Sequence, residues 1–428
     1  MTQRYDTYKD SGVQWLGEIP GHWERNKVLR LFKQIGSGTT PSSGDASLYA
    51  DEGTPWLQSG DFNNNEINST SKYVTDKALD NYGLRLYKPG GVVIAMYGAS
   101  IGKVGLLNIA TTVNQACCVL SDSDHLLQKF SFYVFINEKD NLVKKSKGGT
   151  QPNISQEIIK SHYIPIPPLS EQRSIVSFLD AKCGKIDEWV TKKQKEVEHL
   201  QELKQRVIAD AVTRGLNPHV KMKTTNIPWL KEIPEHWERT TLRKFLRLFS
   251  VKNHGDKQLL SVTREQGVIV RDIESKEGNH NFIPDDLSGY KYVQIGDFVI
   301  NKMKSWQGSY GVSDYEGIVS PAYYTCKLEG IDKTFFSLAI RSKIYVSFFG
   351  RYSKGIRVDQ WDLSPFALKS IPFAVPPLSE QKQIVSYLDA KTSKIDKLIA
   401  NITKEIECIK EYKQRLISDV VIGQIKVC

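Results

Sequence analysis

The sequence predicts an α+β protein with a pseudo-two-fold internal repeat: two α/β domains separated by two long helices that form an antiparallel coiled coil. Three observations carry this. The stretch "PPLSEQRSIVSFLDAKCGKID" from Pro167 returns as "PPLSEQKQIVSYLDAKTSKID" from Pro376, and 16 of 24 positions agree between 167–190 and 376–399 at an offset of 209. "WLGEIPGHWER" from Trp15 returns as "WLKEIPEHWER" from Trp229 at an offset of 214. After each P-P-L-S-E-Q block, apolar residues recur in steps of three and four, the signature of a helix with one buried seam. A chain of 428 residues is too long for one ordinary core, and the repeat divides it into 1–165, 166–215, 216–375 and 376–428.

The segments 1–165 and 216–375 alternate short β-rich runs ("VVIAMY", "TTVNQACCVL", "FVINKM", "AYYTCKL") with clusters of Gly, Asn, Asp and Ser, which reads as strands and turns. Helices are expected near "KFSFYVFINEKD" and "TFFSLAIRSKIYVSFF", where apolar residues recur at three and four. An offset of 206 sets "GGVVIAMYGASIGKVG" from Gly90 against "GDFVINKMKSWQGSYG" from Gly296, and "VNQAC" from Val113 against "VSPAY" from Val319. Each middle is therefore expected to be a compact α+β domain, one fold with two diverged surfaces.

Helical segments follow each Pro-Pro. Ser170 and Ser379 are candidate N-caps, with Glu171 and Glu380 in the first turn where the helix dipole favours negative charge. The first seam reads Ile186, Val190, Lys193, Val197, Leu200, Lys204, Val207 and Ala211. The second, in the same register, reads Ile395, Ile399, Ile402, Ile406, Ile409, Lys413, Leu416 and Val420. A core helix of an unrelated bundle is the plainer alternative, but two seams equal in length and register favour self-pairing. A helix over 171–213 would be ~60 Å long. The short connection "RGLNPHVKMKTTNIP" then requires the second helix to run back along the first, giving an antiparallel rod with a domain at each end.

Lys plus Arg (58) exceeds Asp plus Glu (48) by ten, which suits a polyanionic partner. The start lacks a basic-then-apolar signal pattern, and apolar runs such as "VVIAM" are too short to span a bilayer, so no membrane association and a cytoplasmic location are expected. Six scattered cysteines form no C-x-x-C pair, and eight histidines form no H-E-x-x-H, so no metal site is expected. His22 and His236, both within H-W-E, read as packing and local hydrogen bonding. Catalytic motifs are missing too. No [N/D/S]-P-P-[Y/F/W] loop is present for holding a flipped adenine. "YGASIGKV" lacks the leading Gly and the trailing Ser or Thr of a phosphate loop, and "GSGTTP" breaks the dinucleotide fingerprint at Pro41.

The duplicated P-P-L-S-E-Q-x-x-I-V-x-x-L-D-A-x-x-x-K-I-D block, each copy preceded by a variable domain, resembles the specificity subunit of type I restriction-modification enzymes over essentially the whole chain. "GTQPNIS" from Gly149, "LLSVTREQGVI" from Leu259 and "IVSPAY" from Ile318 are similar to pieces of that family's target recognition domains. The resemblance implies a non-catalytic subunit. Each target recognition domain would read half of a split sequence in double-stranded DNA, and the helical regions would act as a ruler and bind two methyltransferase subunits, with restriction/translocase subunits joining them. No cofactor is expected on this chain: S-adenosylmethionine would belong to the methyltransferase, and ATP and magnesium to the motor.

Reading base edges needs long donors and amides on rigid loops, whereas phosphates need positive charge and backbone N–H groups. In the first domain Lys72 and Lys103 are candidates for phosphate, and Tyr97, Thr150, Gln151 and Asn153 for bases. In the second, Lys302, Lys304 and Trp306 stand where the first has Met96, Gly98 and Ser100. "GIRVDQWDLS" aligns with "GTQPNIS" if three residues are inserted, adding Lys354, Arg357 and Gln360, so the two half-sites are expected to differ. The plainer reading is that these side chains only close turns or fill core. Two other functions compete: a stand-alone enzyme on nucleic acid, which the missing motifs disfavour, and a coiled-coil scaffold whose end domains bind proteins.

Overall fold

The structure, a computed structural model, describes residues 3–146, 152–227, 230–272, 283–284, 286–355 and 361–427. It divides into two units: Met1–Lys193 with Lys404–Cys428, and Gln194–Thr403.

The first unit centres on a five-stranded sheet ordered Gln34–Ser37, Cys117–Ser121, Val92–Ala95, Val104–Leu107, Asn65–Ile67. The "VVIA" strand is buried at every residue, and period-two alternation serves two cores at once. Val92 and Ile94, with Met96 beyond them, join the core under the 17-residue helix Gln128–Lys144, while Val93 and Ala95 join Leu57, Phe62 and Tyr87 on the other face. A smaller sheet carries Thr112–Val113, Thr54–Leu57, Tyr73–Val74 and Tyr49–Ala50.

The second unit repeats this plan in register. Its sheet runs Leu246–Phe249, Tyr324–Leu328, Phe298–Ile300, Tyr310–Val312. Ile300 pairs with Tyr310 and Tyr324, as Ile94 pairs with Val104 and Cys118 in the first unit, and all three correspondences hold at the offset of 206. Phe298 and Ile300 again face one core and Val299 another. In "TFFSLAIRSKIYVSFF" two helices form, Lys333–Ile340 and Lys343–Tyr352; Asp332 caps the first by accepting from the Phe335 N–H at 2.9 Å.

The long helices are Leu169–Arg214 (46 residues) and Leu378–Val421 (44 residues). Ser170 and Ser379 are not the N-caps. The helices start at Leu169 and Leu378, two residues before the start a serine cap would set, with the Gln172 N–H donating to Pro168 O at 3.0 Å and the Gln381 N–H to Pro377 O at 3.0 Å. The glutamines make a serine cap unnecessary, because the Gln172 side chain donates to Pro167 O and the Gln381 side chain to Pro376 O, tying the entering chain directly.

Within each unit, part of one long helix packs antiparallel on part of the other. In the first, Ile175, Leu179 and Cys183 share a core with Leu416, Ile417, Val420 and Val421. In the second, Ile208, Ala211 and Val212 share one with Ile384 and Leu388. Of the seam residues, Ile186, Val190, Ala211, Ile395, Ile402, Ile406, Leu416 and Val420 are buried, and Val197, Leu200, Val207, Ile399 and Ile409 are half-buried. Two of the three seam lysines meet acids on the opposite helix: Lys413 Nζ lies 2.6 Å from Asp187, and Lys204 Nζ 2.6 Å from Asp396. These are the same pair written twice at the offset of 209, so the polar breaks in the seam are matched to fixed partners.

Candidate nucleic-acid interface

The two repeated phrases meet in space. Glu171, in the first turn of its helix, accepts hydrogen bonds from Trp23 Nε1 (2.9 Å) and Tyr5 OH (3.0 Å) and pairs with His22 Nε2 at 2.5 Å. Burial opposes its charge, but the Trp23, His22 and Tyr5 hydrogen bonds outweigh that and hold its carboxyl below the ordinary range. In the second unit Glu380 pairs with His236 at 2.7 Å, while the buried Trp237 Nε1 has no hydrogen-bond partner. The neighbouring glutamines complete the joint. Gln172 accepts from the Leu127 N–H at 2.7 Å and Gln381 from the Asp332 N–H at 2.8 Å, each fixing the start of a sheet-covering helix. H-W-E and S-E-Q therefore form one clamp between the sheet-bearing domain and the long helix.

On this joint each unit carries a turn after its central strand. In the first it spans residues 96–103: the Ala95 N–H donates to Lys103 O (2.9 Å), and the Ile154 N–H to Met96 O (2.7 Å). In the second it spans 302–309: the Asn301 N–H donates to Ser309 O (3.0 Å), and the Leu363 N–H to Lys302 O (3.2 Å). Ile154 and Leu363 differ by 209 and the turns by 206, so the three-residue insertion falls between turn and returning segment. Tyr97 bridges Asn153, and Lys354 bridges Asp362. One scaffold thus holds a turn and a returning loop side by side in both units.

Their side chains differ. In the first unit Tyr97 is half-buried and Asn153 exposed; burial and the nearby Cys117 raise the Tyr97 hydroxyl's pKa, against a lowering hydrogen bond with Gln115. Lys103 sits half-buried at the end of the turn, whereas Lys72 is exposed just before the strand Tyr73–Val74 of the smaller sheet. Gly38 lets the adjacent loop close in, for a Cβ there would lie 1.5 Å from Val113 O. In the second unit Lys302 Nζ reaches Asp362 at 3.3 Å, Lys304 is exposed, and Trp306 packs against Trp361 with ring centroids 5.1 Å apart. Lys354 is exposed beside them. Thr150, Gln151, Arg357 and Gln360 lie outside the described residues.

Several neighbours escaped the sequence reading. Thr40 donates to Gln115 beside Tyr97, and the second unit gathers Lys252, Lys291 and Lys302. Burial, then Lys252 and Lys302, push the Lys291 ammonium's pKa down. Asn301 Oδ1, just before the turn, and Trp306 Nε1, within it, are buried without hydrogen-bond partners. Trp361 and Lys291 did stand within or beside quoted motifs, but nothing in their spacing marked them. Chemically, these turns offer donors, amides and aromatic faces over positive charge, which are the means of contacting bases and phosphates. Among the described residues, no group of three His, Cys, Asp or Glu is placed to hold a metal ion, and no helix is long and apolar enough to cross a membrane.

Each unit carries a sheet-rich domain clamped onto part of the long helices, so one plan is present twice. The chain belongs to the type I restriction modification DNA specificity family, whose model matches residues 20–199 and 274–408. It is a DNA specificity subunit of a type I restriction-modification system, and the family role is non-catalytic. It is 25% identical over 431 residues to the type I restriction enzyme MjaVIII specificity subunit of Methanocaldococcus jannaschii (96% of this chain, 94% of that protein). To the EcoKI specificity subunit of Escherichia coli K12 it is 21% identical over 441 residues (96% and 90%). Its fold matches, with a TM-score of 0.66 and 14% identity, a chain from work on complex assembly and conformational transition of the type I R-M system, covering 95% of this chain and 99% of that one.

Proposed function

We propose that each unit reads a different half of a split, asymmetric sequence in double-stranded DNA, and that the long helices hold the readers while two methyltransferase subunits dock on them. Restriction/translocase subunits join that core. S-adenosylmethionine is then bound by the methyltransferase, and ATP and magnesium by the motor, in the cytoplasm. The domain boundaries that go with this reading are 1–165 and 216–375 for recognition and 166–215 and 376–428 for the frame.

The observation that carries the reading is the matched turn with exchanged chemistry. At 96, 98 and 100 the first unit has Met, Gly and Ser; at 302, 304 and 306 the second has Lys, Lys and Trp, on the same hydrogen-bond scaffold. A frame kept constant while the contact residues change is what two dissimilar half-sites require.

The test is to co-express the chain with its methyltransferase and map methylated adenines in genomic DNA. A split motif with two unequal halves is expected. A base-reading Lys304 or Trp306, changed to Ala, relaxes one position of the second half only, at ~1–3 kcal/mol. Uniform loss over all sequences with a shallower salt dependence would instead assign the residue to phosphate.

A further inference from the structure

One element breaks the symmetry of the repeat. In the first unit a single helix, Gln128–Lys144, covers the sheet, whereas in the second the helix stops at Ile340 and a new one starts at Lys343. The break creates an extra helix N-terminus that its own sequence does not complete. Ser342 stands at the N-cap, yet its side chain caps no N–H; the residue is 1% exposed and its Oγ has no hydrogen-bond partner. The first turn holds no acid. Arg341 and Lys343 flank the cap instead, two cations at the end of a helix that already carries partial positive charge. Among the described residues neither forms an ion pair with an acid. The Arg341 guanidinium donates to Tyr310 O (2.7 Å), Arg264 O (3.0 Å) and Glu265 O (2.7 Å), and burial pushes its pKa down despite the nearby Glu265 carboxylate.

A cavity of about 480 Å³ opens at this break. Its walls come from four places in the second unit: Gln205 on the long helix, Arg264 at the tip of the hairpin formed by Leu260–Thr263 and Gly267–Val270, Gln307 at the end of the 302–309 turn, and Arg341 with Lys343 at the break itself. Three cations line it against one acid, Glu265, which already lies 3.7 Å from Arg264. In the first unit the unbroken helix covers the equivalent turn more closely. A Cβ on Gly102 would lie 2.8 Å from Lys139 and 3.1 Å from Val143, whereas one on Gly308, its counterpart at the offset of 206, would meet nothing nearer than Val346 at 3.6 Å. The break opens the space.

We propose that this cavity is an anion site of the second unit that takes a phosphate group. Uncapped helix N–H groups beside converging cations are the means by which proteins hold phosphate, and the amides of Gln205 and Gln307 add donors from two further walls. A tetrahedral anion suits walls on several sides, because its oxygens point in as many directions; the two coplanar oxygens of a carboxylate do not. Gln307 and Gly308 end the turn that carries Lys304 and Trp306, so an occupant fixes the returning end of that turn and of no other. The phosphate is supplied by a nucleic-acid backbone or by a soluble phosphate ester. Only the first of these sources rests on the functional reading above.

The test uses the full-length chain in complex with its methyltransferase subunit and reads amide hydrogen exchange over 303–309 and 342–347. In one arm inorganic phosphate is titrated in; in the other, duplexes carrying a single neutral methylphosphonate at successive positions are compared for binding. The wild type is expected to be protected in both segments, and K343E and R264Q each to weaken the protecting anion by about tenfold, the worth of one charge-assisted contact. A glutamate at the first helical position suits the helix dipole, so loss in K343E is not melting of the helix. K231E, an exposed charge away from the cavity, is expected to change nothing. Protection by inorganic phosphate with no methylphosphonate position coupled to Lys343 assigns the site to a soluble ester; one sensitive position in the wild type that loses its effect in K343E assigns it to the DNA backbone. Neither effect in the wild type, or equal weakening by K343E and K231E, overturns the site. A complex that methylates no sequence sinks the functional reading, and the phosphate arm then decides the site on its own.

Discussion

Glu171 shows how much one side chain joins. Three donors from the N-terminal segment converge on a carboxylate in the first turn of the long helix, and Glu380 in the second unit has one, from His236. Glu171→Gln is therefore expected to destabilise its unit by ~1.5–3 kcal/mol, the usual worth of charged hydrogen bonds, and Glu380→Gln by less, as measured by denaturant unfolding. The carboxyl of Glu171 is held below its ordinary value, so its contribution is full above the unfolded range near ~4.3 and disappears as the pH falls through the depressed value. The acid limb of the stability curve should flatten in Glu171→Gln. At this scale the sequence was partly legible. The repeated H-W-E marked His22 and His236 as hydrogen-bonding residues, but their acceptor lies about 145 positions away, and no local pattern names a partner that distant. For the same reason Thr40, Gln115 and Lys291 stayed hidden, since loop residues become neighbours only once the sheets form.

Among the elements, the long helices were the most readable, because a seam repeated over many turns leaves a period that no turn or strand imitates. Their starts were not, since Gln172 and Gln381 take over the fixing of the entry that a serine cap would provide. Central strands announced themselves as continuous apolar runs, whereas Asn65–Ile67 and Tyr49–Ala50 are short and partly polar and gave no signal. The seam lysines offer a test of sign. Asp187→Ala and Asp396→Ala each remove a half-exposed ion pair and are expected to cost no more than ~1 kcal/mol. Lys204→Met and Lys413→Met, which put an apolar side chain into a half-buried seam position, are expected to raise the midpoint of thermal unfolding.

Over the whole molecule the two units are built from the chain in different ways. The second is one continuous stretch, 194–403, while the first is assembled from 1–193 and 404–428. Its two contributions are tied at several points: Gln3 bridges Lys426, Tyr8 OH donates to Gly423 O, and Leu416, Ile417, Val420 and Val421 complete the core around Trp23 and Ile175. Removing 404–428 is expected to speed amide hydrogen exchange throughout 3–193 and to leave the protection of 194–403 largely in place. The repeated phrases made the doubling plain; that one copy closes only through the chain's far end follows from three-dimensional contacts. The consequence concerns birth order. As the polypeptide leaves the ribosome, the later-encoded unit has all of its parts as soon as residue 403 emerges, while the earlier-encoded one must keep an unfinished apolar surface until residues 404–428 have followed.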